Sequence, residues 1–127
     1  MNKGYKIEDI KSDGFIHSRI YEFVFDPEKK SVKINFGFAD LKKGGAIVDC
    51  TIAITDWWDF EVIEKGKNVF KKYPNNDTPT DIEQILEYEY DENTLTLKAC
   101  GYLDIDSVIY YKFIKPKIQI TGEYDPD

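Results

Sequence analysis

Ser31-Val32-Lys33-Ile34-Asn35-Phe36-Gly37-Phe38 is the stretch that decides the fold. Its apolar residues fall at every second position, and neighbouring side chains of an extended strand point to opposite faces of a sheet. Val32, Ile34, Phe36 and Phe38 are therefore expected inward, with Ser31, Lys33, Asn35 and Gly37 outward. Upstream, Phe15 to Phe25 reads as a partner strand, with Tyr21, Phe23 and Phe25 on one face and Ile20, Glu22 and Val24 on the other. Between the two, Asp26-Pro27-Glu28-Lys29-Lys30 is a turn, because Pro27 presets its φ angle and Asp26 can accept an Asx-type bond. The pair is expected to form a hairpin.

Working outward, Asp40 to Gly45 is a loop, and Ala46 to Thr55 is a third strand with Val48, Cys50, Ile52 and Ile54 on one face. Continuing that count through Asp56-Trp57-Trp58-Asp59-Phe60 puts Trp58, Phe60 and Val62 inward and Trp57, Asp59 and Glu61 outward. A bulge or bend at Asp56 reverses the assignment, since one extra residue flips every later side chain. Lys65 to Asp77 reads as a polar connection broken by Gly66, Pro74, Asn75 and Asn76. Thr78-Pro79-Thr80-Asp81 carries helix-start chemistry, and Ile82, Ile85 and Leu86 have helical spacing, so one short helix is expected near 79–86. A strand beginning near Gln84 is the competing reading.

Leu86 to Tyr90 and Thr94 to Tyr102 flank Asp91-Glu92-Asn93 as a second hairpin. A turn at Asp104-Ile105-Asp106-Ser107, a dense strand from Ser107 to Ile114, a stop at Pro116 and a short strand from Lys117 to Thr121 complete the chain. The expectation is a mainly β, single-domain antiparallel sandwich or half-open barrel of seven to eight strands over residues 1–127, with 1–9 and 123–127 loose.

The totals agree and narrow the function. Aromatic residues make up 15% of the 127 residues, which favours strands over helices. A formal net charge of −7 argues against nucleic acid, whose phosphates need a basic stripe, and against anionic membrane surfaces. It suits a basic protein partner and electrostatically steered encounter. The charged N-terminus lacks the apolar stretch of a signal peptide, and no apolar run is long enough for a spanning helix, so a cytoplasmic protein is expected. Cys50 and Cys100 sit among apolar neighbours and read as buried thiols rather than a disulfide. With one histidine, His17, and no CxxC spacing, no metal or other cofactor is expected.

Catalysis finds little support. His17 stands beside Ser18 without any nucleophile motif around it. Asp56 with Asp59, and Glu87 with Glu89, are carboxylate pairs that chance supplies readily among 24 acids. Asp104-Ile105-Asp106 lacks the glycine and distal glutamate of a calcium loop, and Gly44-Gly45 lacks a phosphate-loop pattern. The paired tryptophans could stack a sugar, although packing is the commoner use of such rings.

The acidic β-rich character, the Ile54 to Phe60 segment and the run from Tyr110-Tyr111-Lys112-Phe113-Ile114-Lys115-Pro116-Lys117-Ile118 to Gly122-Glu123-Tyr124 together resemble the small immunity proteins that guard bacteria against polymorphic or contact-dependent toxins. The resemblance implies a protein without catalytic residues that binds a cognate toxin and occludes its active site or partner surface. Asp56, Trp57, Asp59 and Glu61 are the candidate contacts, joined by Asp104 and Asp106 if those turns converge. A lipocalin-like barrel holding a small molecule among its Tyr and Phe side chains is the alternative. An exposed edge strand would favour a homodimer.

Overall fold

The computed structural model describes residues 3–66, 70–73, 82–101 and 107–126. Ten strands run in the order β1 (Lys3–Tyr5), β2 (Ile20–Asp26), β3 (Ser31–Asp40), β4 (Ala46–Thr55), β5 (Asp59–Gly66), β6 (Phe70–Tyr73), β7 (Ile82–Asp91), β8 (Thr94–Gly101), β9 (Ser107–Ile114) and β10 (Lys117–Asp125), with a 3-10 turn at Ile7–Asp9. They form two five-stranded antiparallel sheets, β1-β10-β4-β3-β2 and β6-β5-β9-β8-β7. The architecture is a β-sandwich, with more strands than the seven or eight expected. The additions are β1 and β6, which lie in segments expected to be a loose end and a polar connection. The other end is ordered too, since β10 continues through Glu123 to Asp125.

Inward alternation holds where the sequence was clearest. Val32, Ile34 and Phe36 of β3, Ile52 and Ile54 of β4, Leu95, Leu97 and Ala99 of β8, and Ile109, Tyr111 and Phe113 of β9 are all buried. Lys29 N–H donates to Asp26 Oδ1 at 3.2 Å, closing the β2–β3 turn as Asp26 suggested. Glu92 and Asn93 both have positive φ, as a tight two-residue hairpin loop requires.

The departures share one cause, a change of phase within a strand. On β4, Asp49 adopts φ 52°, and the pairing with β10 shifts between Thr121 and Glu123. Ile47 is buried in place of the expected Val48, and on β3 Ala39 is buried while Phe38 is only half-buried. Gly122 sits inside this irregularity, where a Cβ would stand 2.3 Å from Ile47 Cγ2, so the close approach of β4 and β10 admits no side chain. On β2, a register shift between Ile20 and Glu22 turns Tyr21 outward, away from Phe23 and Phe25.

The expected helix is overturned over its described part, because residues 82–86 belong to strand β7; residues 79–81 lie outside the described residues. Two register shifts, between Ile82 and Gln84 and between Ile85 and Glu87, each advance the phase by a residue. Ile82, Ile85 and Tyr88 therefore all reach the core at a spacing of three, which imitates a helix. The first strand also starts later than expected, at Ile20, because residues 11–18 fold into turns that deliver Phe15 to the core.

Those turns close one end of the sandwich. Phe15 stacks on Phe36 at 4.5 Å between ring centroids and meets the edge of Tyr88 at 6.1 Å. The Tyr88 hydroxyl donates to a pair of backbone carbonyls, Ile7 at 2.6 Å and Ile10, tying the N-terminal segment to β7. Burial, and then the nearby carboxylates of Glu8 and Asp9, push its ionisation up to about 12.

Two outcomes are expected. Tyr88→Phe removes the hydroxyl from the Ile10 carbonyl and leaves the Ile7 carbonyl with the Ile10 N–H at 3.1 Å as its partner. It should lower unfolding free energy by about 1–3 kcal/mol in urea denaturation, with the m-value unchanged. Burial pushes the Cys50 thiol from 9.0 up to about 12. An unfolded thiol ionises first, so the contribution of neutral Cys50 is complete below pH 9 and is lost as pH rises through 12. Cys50→Ala should take up to about 1.4 kcal/mol per pH unit off the alkaline slope of stability.

Candidate functional site

Four turns meet at the other end of the sandwich: 26–30 joining β2 to β3, 56–58 joining β4 to β5, 91–93 joining β7 to β8, and 115–116 joining β9 to β10. The second and fourth carry the chain between the sheets. Backbone hydrogen bonds link the turns: Asp56 N–H to Lys30 O at 3.0 Å, Trp58 N–H to Ile114 O at 2.8 Å, and Lys115 N–H to Asn93 O at 2.7 Å.

Backbone strain is concentrated here. Among the described non-glycine residues with positive φ, Lys30 (49°), Asp56 (55°), Glu92 (50°), Asn93 (60°) and Lys115 (51°) lie in these turns, and only Asp49 lies elsewhere. Each such conformation costs on the order of 1 kcal/mol and persists only where flanking structure enforces it. The strands and the linked turns supply that enforcement, so the end of the sandwich is a rigid platform rather than a set of independent loops.

The left-handed Asp56 decides which tryptophan is exposed. It breaks the alternation after Ile54, so Trp57 turns inward at 4% exposure and Trp58 outward at 72%. The outward placement expected for Trp57 is therefore corrected, for the reason that a bend at Asp56 would require. Trp57 joins Phe60 at 5.4 Å, Phe113 at 5.1 Å and Phe25 at 6.2 Å, an aromatic plug contributed by both sheets. Trp58 and Asp59 then both face solvent, which restores phase and lets Phe60 and Val62 point inward as expected.

Of the other expected contacts, Asp56 and Asp59 flank Trp58 at the platform. Asp56 pairs with Lys117 at 3.4 Å, and Asp59 Oδ1 accepts the Phe60 N–H at 2.8 Å. Glu61 lies further along the outer face of β5 and pairs with Lys72 of β6 at 3.3 Å. Asp104 and Asp106 lie outside the described residues. Lys115, absent from the expected set, places Nζ 3.7 Å from the centroid of the Trp58 ring. Its position before Pro116, at a sheet-to-sheet crossing, was the available clue. These exposed ion and cation–π contacts contribute at most about 1 kcal/mol each, so they orient the rim more than they stabilise the fold.

Away from this platform, a cavity of about 280 Å³ is lined by Tyr5, Asp9, Leu41, Lys43 and Tyr124. The Tyr5 hydroxyl oxygen is shielded there without a hydrogen-bond partner among the described residues. Cys50 and Cys100 are free thiols, and Cys100 is half-buried rather than enclosed. Among the described residues no helix is long and apolar enough to cross a membrane. Comparison with protein-family models, with curated proteins and with solved structures returns no match.

The two indoles should separate cleanly in a stability measurement. Trp57→Ala is expected to cost about 3–5 kcal/mol through loss of the plug. Trp58→Ala should change unfolding free energy by no more than about 1 kcal/mol. Equal losses in chemical denaturation would contradict the assigned burial.

Proposed function

We propose that this chain is a binding protein without catalysis, an immunity protein that neutralises a cognate bacterial toxin by seating the platform of turns on the toxin's active site or partner surface. The observation that carries the reading is Trp58, an indole 72% exposed on a rigid, hydrogen-bonded rim. Burying that ring against a partner offers roughly 4 kcal/mol of transfer free energy, which makes it the anchor of an interface. A rigid rim keeps the ordering cost of association low. The net charge of −7 favours a basic partner, and the carboxylates of Asp26, Glu28, Asp56, Asp91 and Glu92 outnumber Lys29, Lys30 and Lys115 in the same four turns. The alternative, a lipocalin-like barrel, places its ligand between the sheets, where this chain packs Tyr111, Phe113 and Ile52.

Affinity capture from the native cells with tagged wild-type, Trp58→Ala and Tyr21→Ala chains tests the proposal. Wild-type and Tyr21→Ala should retain one stoichiometric protein, and Trp58→Ala should bind it about thirtyfold more weakly. That protein, expressed alone, should arrest growth, and co-expression of this chain should relieve the arrest. A retained protein that is harmless, or one indifferent to Trp58, defeats the proposal.

A further inference from the structure

The platform, in the free protein, already binds cations of its own. Lys115 Nζ lies 3.7 Å from the Trp58 ring centroid, and Lys117 Nζ lies 3.4 Å from Asp56 Oδ2. Both lysines are exposed, as are Asp56, Trp58 and Asp59. Such contacts are weak and exchangeable, because water screens them and long side chains lose freedom in holding them.

Resting on the reading above, we propose that Lys115 is a placeholder and that the partner's contact group at Trp58 is an arginine side chain, which displaces the Lys115 ammonium from the indole. The chemistry favours that exchange. A guanidinium is planar and can lie flat on an indole face while its forked N–H groups reach a carboxylate, whereas an ammonium offers a point charge. Trp58 stands between Asp56 and Asp59 in the chain, both at the platform. Asp59 uses Oδ1 on the Phe60 N–H, and its second oxygen can accept from a stacked guanidinium. Guanidinium is also the more weakly hydrated cation, so it loses less on leaving water for an interface. The net charge of −7 draws a basic surface toward this chain before contact is made.

The test follows the two indole N–H resonances of the labelled protein, assigned through Trp58→Phe, during titration with tri-arginine amide, tri-lysine amide and tri-glutamate. Tri-arginine should shift the Trp58 resonance saturably, leave that of Trp57 unmoved and bind more tightly than tri-lysine. Lys115→Met should tighten tri-arginine binding about threefold by removing the competing cation, while Asp59→Asn should weaken it. Equal responses to tri-arginine and tri-lysine, a preference for tri-glutamate, or a Lys115→Met chain that binds no more tightly would overturn the proposal. Failure here separates from failure of the immunity reading. A captured toxin that is weakened by Trp58→Ala but tolerates Trp58→Leu would show that Trp58 is buried as an apolar side chain, with the inhibitor role intact and the arginine absent.

Discussion

Each strand of a sandwich must deliver its apolar side chains to one face of its sheet, and one unpaired residue reverses that delivery for everything downstream. This chain meets the constraint by correcting phase instead of keeping it unbroken. Asp49, Asp56 and the register shifts of β2 and β7 are all places where the alternation is reset. Ile47, Trp57, Ile85 and Tyr88 reach the core because of those resets.

The same resets build the two ends of the molecule. At one end, turns deliver Phe15 and seat the Tyr88 hydroxyl under the N-terminal carbonyls. At the other, the left-handed Asp56 drives Trp57 between Phe25, Phe60 and Phe113 and leaves Trp58 in water. Burial of one indole and exposure of the other are thus a single event in the backbone. The plug holds the crossing between the sheets, and the crossing presents the exposed ring. The geometry of this surface depends on the core beneath it through Asp56.

The platform so constructed is the surface proposed above for recognition. It offers a rigid aromatic ring, carboxylates beside it and lysines that already satisfy both weakly. Weak internal pairs of this kind would yield at little cost to a better matched partner. In the proposed inhibitor role, specificity would come from geometry fixed before binding.

The sequence by itself determined the class of fold. Period-two burial in Val32 to Phe36, Leu95 to Ala99 and Ile109 to Phe113 is a local property of extended chain, and so is the turn chemistry of Asp26 to Lys30 and Asp91 to Asn93. It also singled out the segment Asp56 to Phe60 and the bend at Asp56 that inverts which indole is buried. Tertiary structure decided which tryptophan enters the core, that Ile82 to Leu86 is bulged strand rather than helix, and that Lys115 stands over Trp58. The physical reason is the same in each case. A bulge or a left-handed residue is selected by the hydrogen bonds and close packing of a neighbouring strand that is distant in sequence, and no spacing within the segment records which neighbour it will have.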